Sequence, residues 1–350
     1  MQLYCGIDLH SNNSVVSLIN ENDQLISEKR LDNNLEIIEH HLQPYQDAIS
    51  GVVVESTYNW YWLVDGLIEH GYPVHLANTL AIQQYNGIKY TTDETDARYL
   101  AHLLRLGILP TGYIYPKAMR HVRDLQRRRL LLVKHRTAQL LSLQSMIGRH
   151  TGLRLGSHQV KQLKQDDLAH YFESAVTLFA AQQTRQLMQQ LNTQIEAMEA
   201  FVLARCQESE HYALITTTPG IGKILGMTIL LETGPIERFA RLGNYASYAR
   251  CVPTDKISNG KSKGQGNARN GNRYLAMAFV EAAHYAAMWD RTIKRYYQRK
   301  CKKKPVMVAK KTGKIGSVTN DSHLSPTPFL FDTGIRFKDK ESPEMLYKLL

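Results

Sequence analysis

Four carboxylates are placed where they could share one centre for phosphoryl chemistry. Asp8 ends a short apolar run that begins at Tyr4, and Glu55 ends the run Gly51-Val-Val-Val-Glu55. Asp93 and Asp96 stand three residues apart, on one face of the opening turns of a helix. Strand ends and a helix start are positions that can converge. Crowded carboxylates raise one another's pKa, a cost that a hard divalent cation such as Mg²⁺ removes. Paired cations about 3.5–4 Å apart suit attack on a phosphodiester. Taken singly, each acid has an ordinary reading: Asp93 can favour a helix N-terminus, Glu55 can end a strand, and Asp8 can bind a turn amide. The set of four is what points to chemistry.

A second constellation lies in Asp255-Lys-Ile-Ser-Asn-Gly-Lys-Ser-Lys-Gly264. Its glycines let backbone approach a substrate, and its lysines supply charge for a phosphate. A serine hydroxyl is a weak nucleophile until a base, a metal or an oriented phosphate activates it. On residue type alone Ser258 and Ser262 are equal candidates. Lys256, Lys261, Lys263, Arg269 and Arg273 are expected to follow a nucleic-acid backbone. The same expectation covers the run from Arg291 to Lys304, which includes Lys302 and Lys303 and is interleaved by Tyr296-Tyr297. The fourteen histidines show no H-x-x-x-H pair on a convincing helix, so none is assigned to metal.

The elements that must position these groups can be read from hydrophobic period. Tyr4–Leu9, Ser14–Ile19 and Gln24–Arg30 predict a three-strand meander, turned by Asn20-Glu-Asn-Asp23. Leu35, Ile38 and Leu42 predict a helix, residues 51–55 a buried strand, Trp60–His70 a helix and Pro73–Ala77 a strand. Thr92 is the expected N-cap of the helix that carries Asp93 and Asp96. The predicted order is βββαβαβα. From Met119 to Cys206 the chain reads as a helical hairpin or coiled-coil arm. Met188, Leu191, Ile195, Met198 and Val202 form its core stripe, and a weaker series at Leu130, Val133, Leu140 and Ile147 precedes an interruption at Gly148–Gly156. Ile215–Leu231, with Gly220-Ile-Gly222-Lys223 at its turn, resembles a helix-hairpin-helix. Cys251–Arg273 reads as a long loop, and Arg273–Met288 as an Ala-rich helix.

Composition bounds the answer. A chain of 350 residues with 43% hydrophobic content allows two or three globular domains, and no apolar run approaches the roughly 18–20 residues of a membrane span. The N-terminus shows neither a basic leader nor an apolar stretch ending in small residues, which predicts a cytoplasmic protein. Four scattered cysteines without a C-x-x-C pair argue against a disulfide framework or structural zinc. Residues 1–115 hold 5 Lys+Arg and 14 Asp+Glu, a formal charge of −9, whereas residues 116–350 hold 38 and 18, a charge of +20. A basic remainder on an acidic first domain predicts a polyanionic partner.

Together Gly6-Ile-Asp8, Val54-Glu-Ser-Thr57 with an aromatic pair after it, and Thr92-Asp-x-x-Asp96-Ala-Arg98 resemble the Asp-Glu-Asp-Asp motifs of the DEDD insertion-sequence transposases. That family includes the Piv pilin-gene invertase and the bridge-RNA-guided recombinases. The likeness continues through Thr218-Pro-Gly-Ile-Gly222, Phe239–Tyr248, Val252-Pro253 and Gly271-Asn-Arg-Tyr-Leu275, and covers about residues 3–300. It implies an α/β, ribonuclease-H-like (RuvC-type) domain at 1–115 and a helical coiled-coil arm at 116–208. A mainly α transposase domain with the helix-hairpin-helix-like segment follows at 209–311, and an atypical tail at 312–350. It also implies that Asp8, Glu55, Asp93 and Asp96 hold Mg²⁺. The family's nucleophilic serine falls five residues after a proline, here at Ser258 after Pro253; the family usually has glycine next, where this chain has Asn259. DNA, a structured guide RNA and a homo-oligomer, dimer or tetramer, are the implied partners, with Ser258 of one subunit brought to another's acids by the arm. A metal-dependent junction nuclease and a non-catalytic nucleic-acid-binding relative are the competing readings. The altered sequence from Thr312 onward favours the last.

If the basic remainder supplies the phosphate contacts, affinity for structured RNA falls steeply with salt, log K dropping by about 0.7–0.9 per phosphate neutralised. A fragment of residues 1–115 that binds as tightly as the whole chain in a salt titration contradicts this.

Overall fold

The computed structural model describes residues 1–82, 92–252, 255–265 and 270–302. Arg269, Lys303 and the tail 312–350 therefore lie outside the described residues. Two compact units are present: Met1–Lys117 with Thr254–Asn270, and Ala118–Pro253 with the chain from Gly271 onward.

The first unit is built on a mixed sheet. Strands β1 (Leu3–Leu9), β2 (Asn13–Asn20) and β3 (Leu25–Asp32) form the expected antiparallel meander. Helix α1 (Leu35–Leu42), a 3-10 turn at Gln43–Ala48, β4 (Ile49–Glu55), α2 (Tyr61–Glu69), β5 (Val74–Ala77) and α3 (Asp93–Arg105) follow in the predicted order. A two-residue strand β6 (Thr111–Gly112) is added, too short to leave a pattern in the sequence. The sheet order is β3-β2-β1-β4-β5-β6, with β4 parallel to β1 and β5 parallel to β4.

Strand alternation decides which side chains meet. Cys5, Ile7 and Leu9 of β1, with Val52 and Val54 of β4, pack with Ile38 and Leu42 of α1 and Leu63, Val64 and Leu67 of α2. The opposite parity turns to the other face, where Val53 and Ala77 pack with Leu100 of α3. Gly6 belongs to that face, and a Cβ placed on it would lie 1.9 Å from the carbonyl oxygen of Ala97. Only glycine lets α3 approach β1 so closely. Asp8 shares the parity of Gly6 and Glu55 that of Val53, so both acids fall on the α3 side.

Charged straps on the outer edge hold α3 in register. Arg98 binds Glu28 through two bonds of 2.5 and 2.6 Å, Ser17 donates to the same carboxylate, and His102 and Arg105 both meet Asp23. The helix starts as expected at Thr92, whose side chain accepts from the Thr95 amide while the Thr95 hydroxyl accepts from the Thr92 amide.

In the second unit α4 (Lys117–Thr151) and α6 (Ala175–Gln207) run antiparallel, joined through α5 (Ser157–Gln162) and a 3-10 turn at Asp166–His170. Leu132 packs with Leu191 and Ile195, Leu140 and Leu143 pack in one cluster with Met188, and Arg136 donates to Asn192 at 2.7 Å. The stripe proposed for subunit contact thus finds its partner in α4 of the same chain, which selects the helical hairpin among the arm readings. Gly148 does not interrupt α4; the break comes at Gly152, where φ is +73°.

Helices α7 (Glu210–Thr216) and α8 (Lys223–Thr233) flank the turn at 217–222, as expected of the segment read as helix-hairpin-helix-like. A 3-10 turn at Ile236–Arg238 and helix α9 (Leu242–Tyr248) follow. Gly220 serves packing there, since its Cβ would lie 2.2 Å from the carbonyl of Ala282. Residues 255–265, read from the sequence as loop, instead form a hairpin of β7 (Asp255–Ser258) and β8 (Lys261–Gln265). Helices α10 (Arg273–Trp289) and α11 (Arg291–Lys302) complete the described chain. Among the described residues no helix is long and apolar enough to cross a membrane.

The close approach at Gly6 predicts a specific sensitivity. Gly6→Ala should destabilise the chain by about 1–3 kcal/mol or more in urea unfolding, because backbone rather than a yielding side chain blocks the methyl. Gly243→Ala on α9, where nothing lies within 4 Å, should be neutral or slightly stabilising. Equal effects at the two positions would contradict this account of α3 docking.

Candidate active site

The acids of the first unit meet at the C-terminal ends of two neighbouring parallel strands and the N-terminus of α3. Asp8 and Glu55 follow directly on the paired residues Ile7 and Val54, so they stand side by side. Asp8 is 5% exposed. Burial pushes the Glu55 carboxyl up to about 8; its hydrogen bond to Asp8 and the charges of Asp8 and Asp96 act in the same direction. Asp96 is also raised, by burial first and then by Asp8 and Asp93. These are the marks of carboxylates that cannot all ionise together without a cation.

Asp93 behaves differently. Arg30 donates to it at 2.7 Å and to Glu94 at 3.1 Å, and this guanidinium holds Asp93 below the usual carboxylate range. Asp93 thus marks the outer, neutralised rim of the cluster, while Asp8, Glu55 and Asp96 form its crowded interior.

His10 is the residue that sequence reasoning missed. Its Nε2 lies 3.3 Å from Asp8 and 3.2 Å from Asp93, without the alignment of a hydrogen bond to either. Ligand atoms of Asp8, His10 and Asp93 all fall within 4.8 Å of one another. The backbone carbonyl of His10 accepts from Asn33 at 3.0 Å and Asn59 at 2.9 Å, which fixes the loop that presents the ring. A signal was present, because Asp8 and His10 are two apart at a strand end and therefore project to one side.

The donor set suits a hard divalent cation. Carboxylate oxygens dominate, an imidazole nitrogen is available, and the acids carry more negative charge than Arg30 neutralises. The His10 nitrogen, lying between two carboxylates without an aligned hydrogen bond, is a donor of the kind that can join carboxylates around a divalent ion. Asp8, His10 and Asp93 are the residues whose ligand atoms converge closely enough for one ion, with Glu55, hydrogen-bonded to Asp8, and Asp96 carrying charge beside them.

Ser258 lies on a different element. It is the last residue of β7, exposed, and paired across the hairpin with Lys261. Asn259 and Gly260, at φ +51° and +69°, form the two-residue turn between them. Both central residues of such a turn need positive φ, a demand that Asn-Gly meets at low cost. Among the described residues no hydrogen bond or ion pair joins Ser258 to the acids. Lys261 and Lys263 are exposed, as is Arg273, whose guanidinium donates to the Tyr274 hydroxyl. For Lys256, Ser262 and Lys302 only the backbone is described.

Comparison with known proteins finds two family matches along the chain. Residues 5–151 match a model for transposases of the DEDD IS110 type, and residues 212–298 match that of the transposase IS116/IS110/IS902 family. An "Insertion element IS110 uncharacterized 43.6 kDa protein" of Streptomyces coelicolor is 29% identical over 109 residues, which are 31% of this chain. The match spans 27% of that relative's length.

The raised Glu55 sets a pH dependence. With a folded pKa near 8 against an ordinary 4.5, the unfolded chain gives up this proton first as pH rises. Stability in a chelator should therefore fall from about pH 4.5 to 8, and Glu55→Gln should flatten that fall. Urea unfolding across this range measures both, and an unchanged slope in Glu55→Gln would contradict the crowding.

Proposed function

From the premise that this chain belongs to the DEDD IS110-type transposases, we propose that it cuts and rejoins DNA with Ser258 as nucleophile, and that Asp8, Glu55, Asp93 and Asp96 hold Mg²⁺. The observation that carries the reading is the crowding of Asp8, Glu55 and Asp96 at one end of the sheet, beside the unaligned His10 nitrogen. His10 joins the set as a further ligand. The metal, when bound, supplies positive charge to phosphate oxygens and stabilises charge developing there. A strand order of β3-β2-β1-β4-β5 with α3 on one face supports a RuvC-type first domain.

The chain's own groups account for the exchange. Ser258 Oγ gives up its proton and bonds to phosphorus while the bridging ester bond breaks, and the released deoxyribose oxygen takes up a proton. Attack on the phosphoserine by the hydroxyl of another strand reverses the step and returns the proton to Ser258. Each ester bond broken is replaced by one formed, so rejoining requires no external energy. Lys261, opposite Ser258 in the register, places charge beside the phosphate under attack.

Strand exchange between two duplexes calls for at least two such serines, which supports a dimer or tetramer. Choice of target falls to a structured guide RNA. Exposed Lys261, Lys263, Arg273, Arg291 and Lys294 supply phosphate contacts for RNA and DNA.

Trapping the protein on nicked or suicide DNA substrates tests the reading. A peptide carrying a nucleotide at Ser258 is the expected mass-spectrometric result, with Ser258→Ala lowering strand exchange by on the order of a thousandfold or more. Free cleaved ends with no adduct would assign hydrolysis instead, and full exchange by Ser258→Ala would overturn the nucleophile.

A further inference from the structure

The second unit buries a charge that neither the acid cluster nor Ser258 accounts for. Glu232 sits near the end of α8, after Ile229-Leu230-Leu231, and is 1% exposed. A carboxylate so placed is strongly disfavoured unless its oxygens are bonded. Arg127 of α4 meets it with two parallel bonds, Nε to Oε1 at 2.6 Å and a terminal nitrogen to Oε2 at 2.7 Å. The remaining valence of Oε2 accepts from the side-chain amide of Asn272 at 2.6 Å.

Asn272 is thereby held in one rotamer, and that rotamer has two further functions. Its carbonyl oxygen accepts from the amides of Tyr274 and Leu275 and caps α10, and its side-chain nitrogen also donates to the Tyr248 hydroxyl at 3.3 Å; independently of that rotamer, the backbone amide of Asn272 donates to the carbonyl of Tyr248 at 2.5 Å. Beside it Arg250 donates twice to the carbonyl of Gly271, at 3.1 and 2.8 Å. Gly271 has φ of +90°, and a Cβ there would lie 2.6 Å from the Tyr248 carbonyl. Residues 248–250 and 271–272 are the two places where the chain leaves the second unit toward the β7–β8 hairpin and returns from it. One buried carboxylate thus orients the Asn272 side chain, which joins the backbone bonds in a clamp linking the return at 272 to Tyr248 at the exit.

We propose that Glu232 is a positioning residue: acting through Asn272, it fixes the base of the segment that carries Ser258. This deepens the assignment of Ser258 as nucleophile and rests on it. An asparagine amide that only capped a helix would not need a buried carboxylate behind it, since its oxygen alone makes the cap.

Exchanging the two side-chain chemistries tests the proposal on the full chain. Asn272→Asp keeps the cap but sets a second carboxylate against Glu232; Glu232→Gln sets an amide against the amide of Asn272. Combined, the two changes restore a donor facing an acceptor and the original net charge. Each single change should raise hydrogen exchange of residues 255–265 about tenfold. Each should also slow serine-adduct formation at saturating DNA about a hundredfold with DNA affinity unchanged, the cost of misplacing a reacting group by about an ångström. The double variant should return both quantities to within severalfold of the parent. Should Asn272→Asp fail to fold, Glu232→Gln compared with the double variant decides. Single variants that lower thermal stability without raising exchange in the hairpin, or a double variant that restores neither quantity, would overturn the proposal. The exchange measurement does not depend on Ser258. If Ser258→Ala still forms adducts while the swap pattern holds, the nucleophile assignment fails and the clamp stands.

Discussion

Asp8 and Glu55 stand at the ends of neighbouring parallel strands, and neither can be charged without opposing the other. Much of the first unit exists to impose that juxtaposition. Period-two alternation sends Cys5, Ile7 and Leu9 into the core with α1 and α2, leaving Gly6 and Asp8 for the opposite face. The missing Cβ of Gly6 admits α3, and α3 brings Asp93 and Asp96 with it. Arg98 on Glu28, and His102 and Arg105 on Asp23, hold the helix along the outer strands. Removing these constraints would let the acids separate and relieve their repulsion, so the fold does work against electrostatics that a bound cation would reverse.

The second unit solves a different problem. Its helices make an apolar core from Ile215, Ile229, Tyr245, Leu275 and Phe279, and beside it the buried Glu232 is ion-paired with Arg127. Buried pairs seldom stabilise a fold more than apolar residues of the same shape would. The pair of Arg127 with Glu232 is better explained by what it orders, namely the N-cap of α10 and the two chain passages beside it. The hairpin of α4 and α6 closes its own apolar stripe within the chain.

Local signals account for what the sequence made legible. The strands that carry Asp8 and Glu55 at or next to their ends, the meander and the Thr92 cap are each encoded within a few residues, and each is found within a residue or two of where the pattern puts it. Ser258 shows the limit of such reading: the Asn259-Gly260 dipeptide is a strong hairpin signal, yet its surroundings of lysine and glycine lack the alternation of a strand, and the segment reads as loop. Gly148 misleads in the opposite sense, since a single glycine is tolerated in a helix that packing secures. His10 was within reach of strand parity. The clamp was not, because Arg127, Glu232 and Asn272 are separated by 105 and 40 residues and only the packed helices bring them together.

If the acid cluster takes a divalent cation, as proposed, the ion should displace the proton that crowding holds on Glu55. Calorimetric titration of the chain with Mn²⁺ at pH 7, repeated in buffers of different ionisation enthalpy, tests it most directly. Saturable binding is expected, with release of about one proton per site as Glu55 ionises, and it should be lost in Asp8→Asn. Binding without proton release, or binding that survives Asp8→Asn, would contradict it.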